Sequence, residues 1–543
     1  MARVAPIVGR AAANLARGAR RVVGALALPR RRGFWIVVRL TGPVEDLASP
    51  RLPLTREGTV GLFEVLQTLE AAATDPQVVG VLLRVGATPI GWSKALSLRR
   101  AVERLRERGK PVAAYAEVLG AEGLLIASAA DRLWLPQAGQ IFLVGLRAES
   151  LFLRGLLDQL GVKVDVVHVG THKAAGDRFT RQSMSPEDRA QLEALVDDLF
   201  DELVGGIAAG RNLNPATVRD LIDRGPYGAR AAVEAGLADG CLYPDELDEQ
   251  LEALGPSSPA PGSDSERIRF VEAPLYHALR AGDPGWRPLR TGLPHLAYVV
   301  AEGGIHRGGG SRGIACDVLT ALLERIRRAE EIRGVVLRLE SPGGDGLASD
   351  LLWRAVSLLR KDKPVVVSMG DVVASGGYYI ATAADALLAE AGTITGSIGV
   401  VGGKIDLGGL YDRIGVTKDA VERGARAGLL SESRGFTSGE RDAMRREMST
   451  LYELFLERVG TGRGLSGTAL DEVAQGRIWS GVRARSVGLV DALGGPMEAL
   501  EEVRRRAQLG DDERVVVEVH PRRRALPGVR ALRHVLSAGM SPG

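Results

Sequence analysis

The sequence predicts an α/β fold that is built twice, as two homologous domains in tandem. At 543 residues the chain is too long for one ordinary hydrophobic core, so two or more domains are expected. Short peptides recur along the chain at a spacing of about 253 residues. In each copy, valine-rich runs alternate with amphipathic helical patterns such as 95–107 and 351–359. This alternation is typical of a largely parallel sheet that is covered by helices.

The chain opens on a basic segment, 1–33, that contains no acidic residue. Its arginines at positions 3, 10, 17 and 21 share one helical face. This pattern fits an amphipathic helix at a membrane surface and a disordered basic tail equally well. The longest apolar run, 22–29, is shorter than the roughly 20 residues that a membrane-spanning helix needs. No transmembrane helix is therefore predicted.

The composition indicates a globular protein and argues against nucleic-acid binding and metal binding by cysteine. The chain is 45% hydrophobic and 25% charged, as in a globular protein, and its net charge of +3 gives no support to a nucleic-acid partner. Two cysteines, Cys241 and Cys316, provide neither a disulfide framework nor the spacing of metal ligands.

The repeat fixes the predicted domain boundaries. The matching peptides are 110–112 and 363–365, 126–131 and 380–385, 160–162 and 414–416, and 235–239 and 487–491. We therefore predict a first domain over 34–254 and a second over 294–510. The stretch 255–293 is expected to be a linker, because its first part is rich in Gly, Pro and Ser and lacks large apolar residues. A strand and a basic tail are expected over 511–543.

A candidate nucleophile lies in the second copy. A valine-rich run at 365–369 leads through Ser375-Gly376-Gly377 into an alanine-rich helical segment. At such a strand-to-helix junction the first N–H groups are unpaired and the helix dipole favours negative charge. A nucleophile and an oxyanion site could therefore coincide here. The alternative is a helix-capping serine beside small residues that allow tight packing.

The two copies have lost different residues. At a shift of 254 residues, Ser375 aligns with Ala121 and Gly376 with Glu122. A second glycine pair, Gly343-Gly344, follows a strand of the second copy and is missing from the first copy. Glycine pairs after a strand can turn their N–H groups toward a ligand, although a plain turn is the commoner role.

A serine nucleophile needs a proton acceptor. The second copy offers no histidine between His306 and His520, so a Ser-His-Asp site would have to take His168 or His172 from the first copy. Lys173 of the first copy is the better candidate, because alanine stands at its counterpart, Ala427. Each copy thus lacks what the other retains, as expected for one site shared between them. Burial would have to lower the lysine pKa from about 10.4 for the amine to act as a base.

Several motifs together resemble signal peptide peptidase A, the bacterial protease IV family, in its tandem-domain form over roughly 34–505. The motifs are 374–381, 393–400, 341–344 and, around the lysine, 170–187. The resemblance implies a Clp-protease/crotonase-like fold for both domains and a Ser–Lys dyad with Ser375 as nucleophile and Lys173 as general base. It also implies an oxyanion hole formed by Gly376 with Gly343 or Gly344.

The resemblance further implies a serine endopeptidase that degrades remnant signal peptides and other short apolar peptides. No metal or cofactor is implied. A homo-oligomer, by resemblance a tetramer, and a membrane-associated place in the bacterial cell envelope are expected. Two alternatives remain: an acyl-CoA enzyme of the crotonase fold, and an inactive scaffold that binds peptides.

The sequence departs from the family pattern at two places. Members of this form usually begin with a membrane-spanning helix, whereas no such helix is expected from the pattern of 1–33. Ala174-Ala175 stand where the family is expected to place a serine beside the lysine. The hydroxyl that orients the base would then come from Thr171 or Ser397.

Overall fold

A computed structural model describes residues 33–48, 59–87, 90–255, 268–281, 293–310 and 312–521. The basic segment 1–33, expected to be either a surface helix or a disordered tail, lies outside the described residues except for residue 33. Of the strand and basic tail expected over 511–543, only 511–521 is described. Among the helices of these ranges, none has both the length and the apolar character needed to cross a bilayer.

The first half of the chain alternates strands with helices. Its strands are β1 (Phe34–Leu40), β2 (Val44–Glu45), β3 (Val60–Gly61), β4 (Val78–Val85), β5 (Val112–Ala116), β6 (Val118–Leu119), β7 (Arg132–Leu135), β8 (Gln140–Ile141), β9 (Lys163–Val169), β10 (Tyr227–Gly228), β11 (Gly240–Cys241) and β12 (Phe270–Glu272). Its α-helices are α1 (Leu62–Thr74), α2 (Trp92–Glu107), α3 (Ala121–Ala127), α4 (Arg154–Leu160), α5 (Asp177–Thr180), α6 (Pro186–Arg211), α7 (Pro215–Arg224), α8 (Ala229–Glu234), α9 (Leu247–Leu254) and α10 (Ala273–Tyr276).

The second half repeats this order. Its strands are β13 (His295–Glu302), β14 (Ile305–His306), β15 (Ile314–Ala315), β16 (Ile332–Ser341), β17 (Val365–Ala374), β18 (Ala386–Ala389), β19 (Ile394–Gly396), β20 (Val400–Asp406), β21 (Ile478–Ser480), β22 (Ala492–Leu493) and β23 (Val516–His520). Its helices are α11 (Cys316–Arg328), α12 (Gly346–Asp362), α13 (Gly376–Ala381), α14 (Gly408–Ile414), α15 (Ser438–Arg463), α16 (Gly467–Val473), α17 (Gly481–Ser486) and α18 (Pro496–Arg506).

The main sheets of the two halves have the same strand order. The first runs β12-β1-β4-β5-β7-β11, and the second runs β23-β13-β16-β17-β18-β22. All neighbours along these two paths are parallel. The central strands are continuous apolar runs because both faces of a parallel sheet are covered. Val335, Val336 and Leu337 of β16, for example, are fully buried. The predicted tandem α/β architecture is confirmed.

The structure corrects the prediction of a linker over 255–293. Strand β12, inside that range, pairs with β1 at the edge of the first sheet. Val271, Tyr276 and Leu279 are buried in the core of the first half. The segment 268–281 therefore belongs to the first domain, just as β23 occupies the equivalent edge beside β13. A three-residue edge strand is too short to produce a periodic pattern in the sequence.

The two halves are joined by packing and by a strand pair. Phe63 of α1 stacks on Tyr298 of β13, with ring centroids 3.9 Å apart. Strand β9 of the first half pairs antiparallel with β20 of the second, from Val169↔Val400 to Lys163↔Asp406. The pair begins at Val400, four residues after the end of β19. The loop that follows β9 is thereby brought to the carboxyl edge of the second sheet.

Candidate active site

Ser375 lies at the predicted strand-to-helix junction, between β17 and α13. Its backbone has φ +54°, a region that non-glycine residues rarely adopt. The turn is held on both sides, since the Ser375 N–H donates to Gly396 O at 2.8 Å and its carbonyl accepts from Tyr379 N–H at 2.8 Å. The Ser375 side chain makes no capping hydrogen bond to α13, contrary to the capping alternative. The hydroxyl is therefore held at a strained junction, which is typical of functional residues.

Lys173 reaches this junction from the first half. The loop that carries it is fixed by the second half, because the His172 N–H donates to Gln475 O at 2.8 Å. Gly476 lies against the backbone of Lys173, and a Cβ at Gly476 would come within 2.6 Å of the Lys173 nitrogen. Lys173 is only 5% exposed. Its position depends on backbone contacts that cross the interface between the halves.

The Lys173 amine meets Ser375 and Ser397. Lys173 Nζ lies 3.1 Å from Ser375 Oγ, 2.8 Å from Ser397 O and 2.9 Å from Ser397 Oγ. Ser397 has φ +53°, which turns both of its oxygens toward the amine. Thr171, the other hydroxyl considered for orienting the base, is exposed, and its Oγ1 lies 2.9 Å from His172 Nδ1. The structure brings together Ser375, Lys173 and Ser397 within one chain, and leaves Thr171 outside.

Burial lowers the pKa of Lys173 from 10.5 to about 8. A low-polarity surrounding disfavours the charged ammonium, so about a tenth of the amine is neutral at pH 7. A neutral amine has one lone pair and two N–H groups. The two Ser397 oxygens can accept the N–H groups, which leaves the lone pair for the Ser375 hydroxyl. This geometry suits proton abstraction from the serine.

The predicted glycines pack closely around the junction, and Gly343 lies directly against Ser375. A Cβ at Gly343 would come within 2.8 Å of Ser375 Cβ and 2.9 Å of the Gly376 nitrogen. A Cβ at Gly376 would meet Ser349 Oγ at 2.4 Å, and one at Gly344 would meet Ile305 O at 2.1 Å. Gly343 and Gly344 have φ +105° and +156°, which a side chain would strain. A side chain at Gly343 would collide with Ser375, and one at Gly344 would collide with the Ile305 backbone.

The candidate histidines are engaged elsewhere. His168 Nδ1 lies 3.1 Å from Gly170 O, and the His172 ring faces Thr171. Sequence reasoning missed Gln475 and Gly476, because their role is to offer backbone to a loop that is about 300 residues away in sequence. It also missed the charged groups beside β17, which are described below. Across the described ranges, no group of three or more His, Cys, Asp or Glu side chains is placed to hold a metal ion.

Comparison with known proteins places the chain in a family. The profile of peptidase family S49 matches residues 104–255 and 357–510, one segment in each half. The chain belongs to peptidase family S49. It is similar to "Serine protease SPPA, chloroplastic" of Arabidopsis thaliana, with 32% identity over 92% of this chain and 73% of that protein. It is also similar to "Protease 4" of Haemophilus influenzae, with 30% identity over 82% of this chain and 72% of that protein.

The family matches confirm the predicted activity class and the duplication. The chain is a serine peptidase, and the acyl-CoA alternative is wrong. Among solved structures, a ClpP1 variant from Listeria monocytogenes matches with a TM-score of 0.24 and 14% identity, over 37% of this chain and 94% of that one.

Proposed function

We propose that this S49 peptidase is an endopeptidase that acts through Ser375 and Lys173. The observation that supports the proposal most is the 3.1 Å approach of a buried lysine amine to the hydroxyl of a strained serine. The pKa of about 8 for Lys173 supports it as well, since a base must be partly neutral at the working pH. Ser397 is the positioning residue for that amine, through its carbonyl and its hydroxyl.

The reaction proceeds in two acyl transfers. Ser375 Oγ attacks the carbonyl carbon of the scissile bond while the neutral Lys173 amine takes the hydroxyl proton. The tetrahedral intermediate collapses to an acyl-enzyme, and the Lys173 ammonium gives the proton to the departing amine. A water molecule then attacks the ester, with Lys173 again accepting the proton, and Ser375 is released with its hydrogen restored.

The oxyanion is held by backbone N–H groups. We assign one donor to Gly376, the first residue of α13, where intrahelical acceptors are missing. The Gly343 N–H already donates to Ser341 Oγ at 3.2 Å. The second donor is therefore assigned to Gly344, whose nitrogen lies 3.4 Å from the position a Cβ would take on Gly376. Loss of one such donor typically lowers the rate about 10²–10³-fold.

The substrate class follows the family resemblance: remnant signal peptides and other short, apolar, extended peptides. The test is hydrolysis of a panel of peptides of equal length that differ in apolar content. Cleavage of the apolar members, with internal cut sites, is expected. Removal of single residues from either end would contradict the endopeptidase assignment, and a preference for charged peptides would contradict the apolar substrate class.

The dyad is tested by substitution and by covalent labelling. Ser375→Ala and Lys173→Met should each lower peptide cleavage by at least about 10³-fold, because the two groups act as a unit. A serine-directed phosphonate should label Ser375 in the unaltered protein and fail to label the Lys173→Met variant. Most of the activity surviving in Lys173→Met would refute the lysine base. An unlabelled and inactive natural chain would instead support the scaffold alternative.

We also propose that copies of the chain assemble head to tail. Inside the chain, β9 pairs with β20, and Gly161 lies on Gly409 so closely that a Cβ on Gly161 would be 2.6 Å from the Gly409 carbonyl. At the shift of 254 residues, the counterpart of β9 is 417–423 and the counterpart of β20 is 146–152. The counterparts of Gly161 and Gly409 are Gly415 and Gly155. A Cβ built on either of these two glycines meets nothing within 4 Å. The counterparts of the two glycines that meet inside the chain are thus uncovered.

Apolar exposure and charge support a second copy as the occupant. Among the described residues, nine of the sixteen large exposed apolar side chains lie within 142–160 or 414–430: Phe142, Val144, Leu151, Leu156, Leu160, Ile414, Val416, Val421 and Leu430. If the register of β9 and β20 is carried over, Arg147 of one copy faces Glu422 of the next. Opposite charges directly across a strand pair are favourable. Such a contact is heterologous, so it closes into a ring when the rotation per chain permits.

The assembly is tested by molar mass in solution. The protein should be an oligomer at micromolar concentration, with the tetramer expected from the resemblance. Arg147→Glu and Glu422→Arg should each dissociate it, and the double variant should restore it. A monomeric natural chain, or single variants that remain fully assembled, would contradict the head-to-tail contact.

For location, we propose the membrane surface of a bacterial cell envelope. The proposal rests on the resemblance and on the basic face of residues 1–33. Full-length protein should float with vesicles of anionic lipid and not with neutral ones. Equal binding to both, or to neither, would contradict it.

A further inference from the structure

The strand that carries Ser375 has a bulge just before the serine. Leu339 of β16 pairs with Met369 of β17, but the next pair is Ser341 with Val373. Glu340 alone therefore faces three residues, 370–372. β16 continues into Gly343 and Gly344, and β17 continues into Ser375. The bulge thus sets how the proposed nucleophile stands relative to the proposed oxyanion donors.

The side chain of Glu340 closes this bulge. Its Oε2 accepts the Asp371 N–H at 2.6 Å, and its Oε1 accepts the Val372 N–H at 3.0 Å. The carboxylate fits because Gly370 has no side chain, since a Cβ there would lie 2.0 Å from Glu340 Oε2. One carboxylate therefore satisfies two N–H groups that have no partner on β16.

Lys94 of the first half forms ion pairs with the two carboxylates at the bulge. Lys94 Nζ lies 2.5 Å from Asp371 Oδ2 and 3.6 Å from Glu340 Oε2, and its side chain is 9% exposed. Burial acts to lower the pKa of Lys94, but the Asp371 and Glu340 carboxylates outweigh burial and raise it. The ammonium is therefore charged throughout the neutral range, and it balances charge between two carboxylates in a site with little water.

Asp371 also caps the helix that carries Lys94. The N-terminus of α2, at Gly91, has no side-chain cap of its own. Asp371 Oδ1 accepts the Ser93 N–H at 2.8 Å, which places a carboxylate at the positive end of a helix of 16 residues. The approach requires glycine at position 91, where a Cβ would lie 1.9 Å from Asp371 Oδ2.

We propose that Lys94 is a positioning residue for catalysis, acting through Asp371 and Glu340 on the β17 bulge. The inference rests on the proposed role of Ser375. The half that supplies the base thereby also fixes the strand that carries the nucleophile. Packing of the two halves therefore positions both the Lys173 amine and the Ser375 hydroxyl.

The test variant is Lys94→Met, which keeps the apolar stem and removes the charge. Because a misplacement of about 1 Å can cost about 10²-fold, kcat should fall about 100-fold. KM should stay within about twofold, and the alkaline limb of the pH profile should keep its position, because Lys173 is untouched. The rate of phosphonate labelling of Ser375 should fall in parallel with kcat.

Arg104→Met is the matched control. Arg104 lies on the same helix and crosses the same interface to Glu498, at 3.0 Å, but on the second half's helix α18 and not on β17. Its kcat should stay within about threefold of the natural protein. Should Lys94→Met not fold, Asp371→Asn replaces it, and the same fall in kcat is expected.

Two results would overturn the inference. One is a folded Lys94→Met or Asp371→Asn with kcat within threefold of the natural value. The other is a loss of kcat equal to that of Arg104→Met, which would indicate only a weakened interface. Absence of phosphonate labelling in the natural protein would instead overturn the proposed role of Ser375, so the two failures are distinguishable.

Discussion

The sharpest consequence of the buried amine is the dependence of the rate on pH. With a pKa of about 8, Lys173 is neutral in about 9% of molecules at pH 7 and about 91% at pH 9. Raising the pH from 7 to 9 should therefore increase kcat/KM about tenfold. An unburied lysine with a pKa of about 10.4 would be neutral in only about 0.04% of molecules at pH 7. Burial thus provides about 200-fold more of the active form.

The assay is initial-rate hydrolysis of a fluorogenic apolar peptide, well below KM, from pH 6 to pH 10. The logarithm of kcat/KM should rise with slope near one and level off above pH 8. The rate of phosphonate labelling of Ser375 should follow the same curve. A profile that is flat from pH 6 to pH 9 would refute the lysine base. A rise of kcat/KM that is complete below pH 6.5 would instead indicate His172 as the base, because burial lowers the pKa of His172.

The same equilibrium should appear in the stability. The folded pKa of Lys173 lies below the unfolded value, so between pH 8 and pH 10.4 the unfolded state binds more protons and stability rises with pH. Below pH 8 the folded state holds a buried charge at a cost of about 3 kcal/mol. Relative to the natural protein, Lys173→Met should gain stability at pH 7 and lose that gain toward pH 10, as measured by urea unfolding. A difference that does not change with pH would contradict the lowered pKa.

Further substitutions separate the contacts of the base. Ser397→Ala removes one of the two acceptors of the Lys173 amine and should lower kcat about tenfold, whereas Thr171→Ala should change it less than twofold; equal effects would refute the assignment of Ser397. Gly476→Ala places a methyl group against the Lys173 backbone at a residue with φ +80°, so kcat should fall at least 10²-fold. Gly439→Ala, where a Cβ meets nothing within 4 Å, is its control and should be neutral in the same peptide assay.

Much of the architecture could be predicted because repetition is a property of sequence. The two halves keep the same strand order, and valine-rich runs identify the buried parallel strands. The predicted linker failed over 268–281, because β12 is a strand of three residues whose partner, β1, lies more than 200 residues earlier. Edge pairing of that kind leaves no local period to detect.

Some residues of the candidate site could be predicted from the sequence and others could not. Ser375 and Lys173 could be found from what each copy has lost, and Ser397 from a short choice of hydroxyls. Lys94 and Glu340 could not be found. Charged residues usually lie on the surface, and only the structure places these two at an interface, where burial makes each charge depend on the other.

By itself, the sequence determined the duplicated α/β plan, the strand-to-helix position of Ser375 and the loss of the lysine from the second copy. Tertiary structure alone decided that β9 pairs with β20, and hence that a lysine amine lies 3.1 Å from a serine hydroxyl some 200 residues further along the chain. It also decided the pKa of Lys173, since that depends on how much water the packed halves exclude. Local patterns encode local hydrogen bonding and burial, whereas the distance between two halves is set by surfaces that meet only when both have folded.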